Sequence, residues 1–505
     1  MTLSTTLLAD HLLAELARDD GPVGPRSGLP LNRRLAEALR RAILEGRLGA
    51  GERLPSSREL AQDLRLSRNT VVAALEQLAA EGYVRGRVGS GTFVADLPAR
   101  NGGSARMRRP GATATARLSN RGQQLARQRN AQHLEIQPFT PGPADFSAFP
   151  LALWQRLQNK HWRQARPEML DYTTSGGYGP LRRAVADHLR VARGLRLEPD
   201  QVIITSGTQQ SLELCARLLA DEGDTVWIED PAYWGAVKAL TACGLRLHPV
   251  AVDEQGWAAP TLPGPPPRLI YVTPSHQYPT GAVMPLVRRR VLLAEAARHQ
   301  AWVLEDDYDS EFRFDAAPVA ALAGLDDDSR VCYLGTFSKV LYPGVKLGYL
   351  VAPPALVDDL RQAHYDLNRP GQLPLQAALA EFIELGHFAH ALRRARQTYA
   401  ARRALLLQAL QPLLAHPGVA LHGAAQGLHL CLRLPPDIDD AALAQQLAAQ
   451  GITVRPLSAY CLQRRDLRGL VIGYGYAAPA LIAPCAERLV STVQAALAAV
   501  TAPGR

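Results

Sequence analysis

Val331-Cys332-Tyr333-Leu334-Gly335-Thr336-Phe337-Ser338-Lys339 is an apolar run that turns into small and hydroxyl residues and ends on a lysine. Its first half has the length and content of a buried strand, so the lysine emerges at a sheet edge. A desolvated lysine loses its charge readily and can form a Schiff base; an ordinary loop lysine is the competing reading. Lys160, Lys238, Lys339 and Lys346 are the only lysines in 505 residues, so chemistry that needs a side-chain amine has four candidates. The same texture recurs upstream in Val202-Ile203-Ile204-Thr205, Thr225-Val226-Trp227-Ile228, Leu269-Ile270-Tyr271-Val272 and Ala301-Trp302-Val303-Leu304. Continuous apolar strands separated by helical patterns predict a mostly parallel sheet covered on both faces.

The residues just past each strand carry the chemistry. After residues 301–304 come Glu305-Asp306-Asp307-Tyr308-Asp309-Ser310-Glu311. Acids crowded at a strand end repel one another unless a cation or ligand compensates, or unless the segment is a solvated turn. A protonated pyridine nitrogen is such a partner, and pyridoxal phosphate needs one to act as an electron sink; Tyr308 can meet the phenolic oxygen of the same ring. Thr205-Ser206-Gly207-Thr208-Gln209-Gln210-Ser211 joins a strand to a helix and aims free amides at a phosphate. Glu229-Asp230-Pro231-Ala232-Tyr233 places an aromatic where it can stack on a ring, and Pro274-Ser275-His276-Gln277-Tyr278-Pro279-Thr280-Gly281 adds polar groups, His276 among them, at a fourth strand end. All gather on one rim of the sheet, where ligands of such folds bind.

Outward from this body, the chain beyond about residue 370 is rich in Ala, Leu, Gln and Arg, with a few late strands, and reads as a smaller α+β part. Toward the N-terminus, Leu35, Leu39, Ile43 and Leu44 recur at helical spacing; Pro55-Ser56-Ser57 and Ser67 each supply a hydroxyl to cap a further helix. Tyr83-Val84-Arg85-Gly86-Arg87 and Gly91-Thr92-Phe93-Val94 read as two short strands around the turn Val88-Gly89-Ser90, completing a winged helix-turn-helix. The third helix of such a motif enters the major groove, and here it opens Ser67-Arg68-Asn69-Thr70: Arg reads guanine, Asn reads adenine and hydroxyls bind phosphate. Arg58 can clamp the backbone, while Arg85, Arg87 and the glycine tip approach the minor groove. A helical protein-interaction module is the alternative.

Charge marks the join. The net charge is +9; residues 97–134 hold eight Arg and no acid, whereas the 371 residues after them carry 35 basic and 35 acidic groups. With Gly102-Gly103, Pro110-Gly111 and no apolar periodicity, the segment reads as an Arg-rich flexible linker. The six cysteines are scattered without a CxxC pair, which favours a reducing cytoplasm over disulfides or a zinc knuckle, and no metal site is expected. No apolar run approaches the roughly 18 residues of a membrane helix, and the N-terminus lacks the basic start of a secretory signal.

The stretches Gly51-Glu52-Arg53-Leu54-Pro55-Ser56-Ser57-Arg58-Glu59-Leu60-Ala61, Leu66-Ser67-Arg68-Asn69-Thr70-Val71, Glu81-Gly82-Tyr83-Val84 and Gly89-Ser90-Gly91-Thr92-Phe93-Val94 closely resemble the DNA-binding domain of the GntR family of bacterial transcription regulators. That resemblance implies operator binding as a dimer, with Arg58, Arg68, Asn69, Thr70 and Gly91 at DNA-contacting positions. Residues 138–495 resemble fold type I pyridoxal-phosphate enzymes of the aspartate aminotransferase kind. This implies Lys339 as the Schiff-base lysine, Asp306 on the pyridine nitrogen with Asp307 the runner-up, Tyr308 on the phenolic oxygen and Tyr233 stacked on the ring. Gly207, Thr208, Gln209 and Thr336 would hold the phosphate, and Tyr172 would reach it from a partner subunit. Head, linker and body together resemble the MocR subgroup. Two departures stand out. Lys346 replaces the usual phosphate-binding Arg, keeping the charge and losing the bidentate fork. Val471 stands where catalytic aminotransferases carry an Arg for the substrate carboxylate, a role that Arg455 or an Arg of residues 393–396 can take over.

The expected organisation is a DNA-binding domain at 25–96, a linker at 97–137 and an aminotransferase-like body at 138–505, with its large part near 175–355 and its small part at 138–165 and 370–505. The expected function is a cytoplasmic, homodimeric regulator that binds operator DNA and responds to pyridoxal phosphate or to an amine or amino acid, with at most weak transaminase activity. The alternative is an active aminotransferase with a DNA-binding head. A body that serves dimerisation alone is opposed by Lys339, Asp306 and Tyr308.

Overall fold

The computed structural model describes residues 5–18, 29–87, 90–96, 118–127, 136–145, 147, 149–172, 176–259, 264–314 and 320–501. Two units divide it, Met1–Ala116 and Arg117–Arg505. In the first, α2 (Leu31–Leu44), α3 (Ser57–Asp63) and α4 (Arg68–Ala80) precede an antiparallel wing of β1 (Val84–Arg87) and β2 (Gly91–Val94). Both hydroxyl caps form. Ser56 Oγ accepts from the Glu59 amide while Glu59 Oε2 accepts from the Ser56 amide, and Ser67 Oγ accepts from the Thr70 amide at 3.1 Å. An additional helix, α1 (Thr5–Arg18), was not expected from the sequence; Leu8 and Leu12 join the core made by Leu35, Leu39, Leu60, Val71 and Leu78, and Leu16, four residues further on the same face, is also buried.

The second unit is built on an eight-stranded sheet ordered β3-β10-β9-β8-β7-β4-β5-β6, from β3 (Val202–Thr205), β4 (Thr225–Asp230), β5 (Arg246–Asp253), β6 (Gly256–Trp257), β7 (Leu269–Val272), β8 (Trp302–Asp307), β9 (Val331–Thr336) and β10 (Gly348–Val351). The pairs joining β9, β8, β7, β4 and β5 are parallel; β10 runs antiparallel between β3 and β9. Two reversals restore the direction, so β3 points the same way as β9. The C-terminal ends of β3, β4, β7, β8 and β9 therefore share one rim. Gly348 pairs with both Thr205 and Thr336, so the strand following Lys346 starts beside the ends of β3 and β9.

The smaller part is a four-stranded antiparallel sheet ordered β11-β12-β14-β13, from β11 (Ala420–His422), β12 (His429–Leu434), β13 (Arg455–Pro456) and β14 (Arg468–Gly473). The helices His387–Leu410 and Pro479–Thr501 pack against each other beside it. The stretch read as a flexible linker holds a helix, Asn120–Arg127, started by Ser119 Oγ accepting from the Gly122 amide at 3.0 Å and tied to the body by an Arg121–Glu222 ion pair. Arg100, Arg106, Arg108, Arg109, Arg117 and Arg129 lie outside the described residues. Among the described residues no helix is long and apolar enough to cross a membrane.

Candidate functional site

In the first unit the N-terminal end of α4 is a polar, outward-facing tip. Arg68 and Asn69 are exposed at its first turn, and Arg58 is exposed on α3. Ser67 also faces solvent, with its hydroxyl engaged by both the amide and the hydroxyl of Thr70. In the wing, Arg85 is exposed and the Arg87 guanidinium lies 5.2 Å over the Phe93 ring, which leaves its charge outward while its stem stiffens the strand pair. Gly91 adopts φ +108°, and a Cβ there would come 3.0 Å from Arg53 Nε. Arg53, unnoticed in the sequence, bridges to Phe93 and carries another charge at this tip. Val88 and Gly89 lie outside the described residues.

In the body, alternation along β8 sorts the crowded acids. Successive strand residues point to opposite faces, so Glu305 and Asp307 share one face and Asp306 takes the other. Glu305 accepts from the amides of Leu322 and Ala323 at 2.9 Å each, near Arg289. Asp307 is held by Arg193 Nε at 2.8 Å and by the Tyr333 hydroxyl. Asp307, the runner-up, is thus already paired within the chain. Asp306 Oδ2 accepts from the Tyr271 hydroxyl at 2.8 Å, while its Oδ1 is buried without a partner among the described residues. Burial, with the neighbouring carboxylates of Asp307 and Asp309 adding to it, pushes the Asp306 carboxyl up to about 7 against the pull of Tyr271 and Lys339. A ligand that brings a protonated ring nitrogen would satisfy that orphan oxygen and restore its charge.

Lys339 is partly buried and donates to the Gly142 carbonyl at 2.7 Å; burial lowers the pKa of its amine, opposed by Asp309 and Asp306. Tyr308 donates to the His276 carbonyl at 3.0 Å, and His276 Nδ1 meets Asp309 at 2.9 Å. His276 is thus a buried prop behind Tyr308. His276, Asp309 and His429 each offer a metal-ligating atom within 4.8 Å of the others, but His276 Nδ1 is engaged by Asp309 and His429 Nε2 by the Pro279 carbonyl. Tyr233 caps the helix Trp234–Ala242, and its ring lies so close over Gly235 that a Cβ there would sit 2.4 Å from the ring.

The turn after β3 forms a cradle. Gly207, at φ +115°, precedes the helix Thr208–Leu219, whose first amides have no intrahelical acceptor. A Cβ on Gly348 would strike Gly207 Cα at 2.8 Å, so backbones meet here as only glycines permit. Gln209 donates to the Gly235 carbonyl at 2.9 Å, and Thr336 Oγ1 accepts from the Ser338 amide at 3.1 Å. Lys346 lines a pocket with Thr205, Ser206 and Gln210. Tyr172 is 61% exposed beneath the Arg369 guanidinium, and Arg369 lines the same pocket as Lys346. Sequence reasoning missed Tyr278, which meets Tyr233 and Tyr308 edge-on at 5.7 and 5.9 Å. Its loop is pinned because Glu229 accepts from Thr273 and Gln277. The signal lay in the polar run 274–281, where nothing local says which side chain turns inward.

Comparison with known proteins matches residues 31–94 to the bacterial regulatory proteins of the gntR family and residues 146–470 to aminotransferase class I and II. The chain is 40% identical over 452 residues to a Rhizobium meliloti protein named "Probable rhizopine catabolism regulatory protein MocR", covering 88% of this chain and 90% of that one. It is 33% identical to the HTH-type pyridoxine biosynthesis transcriptional regulator PdxR of Corynebacterium glutamicum, covering 92% and 95%. Among solved structures, the Thermus thermophilus α-aminoadipate aminotransferase LysN, complexed with N-(5'-phosphopyridoxyl)-L-leucine, matches at TM-score 0.66 and 27% identity over 75% of this chain and 96% of that one. The Thermococcus profundus multiple substrate aminotransferase shares the fold at TM-score 0.68 and 24% identity, covering 76% and 98%.

Proposed function

Because the chain belongs to the GntR family of bacterial regulatory proteins, in the MocR subgroup whose body is a class I and II aminotransferase domain, we propose that it is a transcription regulator whose body holds pyridoxal phosphate and reads a small amine through it. The observation that carries this reading is an unpaired buried carboxylate oxygen near a partly buried lysine, with an apolar residue where a carboxylate anchor would stand. Among the described residues Asp306 Oδ1 is buried and unpaired, Lys339 is partly buried and feels its charge, and the strand position of the usual carboxylate-binding Arg is the fully buried Val471.

Bound there, the cofactor would supply an electron sink and a reactive carbonyl carbon. The chain's own residues do the rest. Asp306 holds the proton on the ring nitrogen, Tyr308 turns its hydroxyl proton from the His276 carbonyl to the phenolic oxygen, Tyr233 covers the ring and Lys339, its pKa lowered by burial, presents the amine. The amides of Thr208 and Gln209, with Thr336 and Lys346, receive the phosphate at the helix N-terminus. Tyr172, exposed on its own chain, reaches the cradle of a partner in a homodimer. Arg68, Asn69 and Thr70 read an operator in the major groove, while Arg58, Ser67, Arg85, Arg87 and Gly91 position the head on the backbone and minor groove. A DNA-bound regulator of this kind works in the cytoplasm. A substrate lacking an α-carboxylate anchor is poorly oriented for proton transfer at its Cα, so transamination is weak.

Addition of pyridoxal phosphate to the purified protein should give a visible absorbance band that borohydride fixes to the peptide containing Lys339. A label on the Lys346 peptide, or none, rules the assignment out.

A further inference from the structure

We propose that the body carries a second small-molecule site, separate from the cofactor residues, and that its ligand is a small zwitterionic amino acid. This does not depend on the cofactor reading above. A cavity of about 140 Å³ lies between the end of β5 in the large sheet, which lends Asp253 and Glu254, and the small sheet, which lends His422 from β11 and Arg433 from β12; Arg464, in the loop before β14, adds to its wall. Among the described residues that line it, none is Lys339, Asp306, Tyr308, Tyr233 or Lys346. An apolar cavity of about 150 Å³ holds benzene, so this one has room for about six heavy atoms, the size of alanine.

Two of the charges around the cavity are already matched. Asp253 accepts from both Nη atoms of Arg288 at 2.6 Å each, and Arg464 donates to Asp466 through Nε at 3.0 Å and to the Val252 carbonyl through Nη1 at 2.9 Å. Three groups are left over. The Arg433 side chain is half-buried with its Nε shut away from water, and among the described residues it has no hydrogen-bond or ion-pair partner. Glu254 is exposed and, among the same residues, also has none. Burial lowers the pKa of His422, with Arg433 adding to it and Glu254 opposing, so its ring stays neutral and offers one N–H donor. A guanidinium with unmet donors is a bidentate receptor for a carboxylate. A simple anion would meet Arg433 but be repelled by Glu254, and a simple cation would meet the reverse. A molecule that carries a carboxylate and an ammonium satisfies both.

The placement of the two charges gives such a ligand a consequence for the body. Glu254 follows a strand of the large sheet and Arg433 lies in a strand of the small one, so a ligand held by both ties the two parts together. Occupancy then favours the arrangement of the parts that presents both groups at once.

The test uses the full-length protein, treated first with borohydride so that any bound cofactor is fixed to its lysine and no amine can exchange there. It is then titrated by calorimetry with L-alanine, propanoate and n-propylamine. Wild type should bind alanine at least about tenfold more tightly than either of the others, a difference of about 1.4 kcal/mol. Glu254→Gln, a surface change that leaves the fold intact, should erase the preference over propanoate, and Arg433→Gln should erase the preference over propylamine. A wild type that binds no alanine, or binds it no better than propanoate or propylamine, overturns the inference. So does either preference surviving the change that should remove it.

Discussion

Asp306→Asn should make the cofactor-free protein more stable at alkaline pH while weakening its hold on the cofactor. An aspartate in an unfolded chain ionises near 3.9, whereas folded Asp306 keeps its proton up to about 7. Between those values the folded chain binds more protons than the unfolded one, so the contribution of this group to stability falls as pH rises through the window. Three units at about 1.36 kcal/mol each set a ceiling of about 4 kcal/mol for the cost above pH 7. Asn removes the charge and can still accept from Tyr271, but it leaves a buried amide in place of the orphan Oδ1, which costs about 1–3 kcal/mol. The net gain is about 1–3 kcal/mol at pH 8, and it vanishes by pH 5. The same change removes a charge-assisted hydrogen bond to the cofactor, worth about 1.5–3 kcal/mol, or roughly 10- to 150-fold in affinity. Thermal midpoints of the cofactor-free protein at pH 5 and pH 8, read beside a cofactor titration, check both halves. A variant that is less stable than wild type at pH 8, or one that binds the cofactor equally well, would refute the reasoning.

Arg68→Ala should abolish specific operator binding, since a bidentate base contact is worth about 1–3 kcal/mol, and leave the cofactor absorbance intact; an anisotropy titration with unchanged operator affinity would remove α4 from the groove. Gly235→Ala should push Tyr233 aside, because the added methyl falls 2.4 Å from its ring; a cofactor titration should show weaker binding by the equivalent of about 1–3 kcal/mol, as overpacking usually costs. Arg193→Gln leaves Asp307 as an uncompensated buried charge, destabilising the body by about 3–5 kcal/mol, whereas the double change with Asp307→Asn should recover much of the loss in thermal melts.

The gathering of the candidate residues on one rim was readable because the signal for each is local. The lysine after β9, the glycine turn after β3 and the acids after β8 each sit at the end of an apolar run, and a parallel sheet brings such ends together. That Asp307 is paired while Asp306 keeps an orphan oxygen was not readable, because it depends on Arg193, more than a hundred residues earlier in the chain, and on Tyr333 from the neighbouring strand. Tyr278 escaped for a similar reason: its orientation follows from Glu229 holding its loop from another strand end. The insertion of β10 between β3 and β9 has no local sign either, although it sets Gly348 against Gly207. By contrast, α1 carried a plain signal in Leu8, Leu12 and Leu16. The helix Asn120–Arg127 carried little, since its only large apolar residue is Leu125 and Gly122 lies in its first turn.

The central claim is that the body informs the head about its ligand and does not turn substrate over. Operator affinity of the cofactor-free and cofactor-loaded protein, measured on one selected operator and accompanied by an amino-acid turnover assay, tests it most directly. Coupling between the two sites must be reciprocal and is typically about 1–3 kcal/mol, or roughly 5- to 150-fold. The account predicts an operator affinity that changes on loading by a factor in that range, with negligible turnover of common α-amino acids. Equal affinities together with rapid transamination would contradict it.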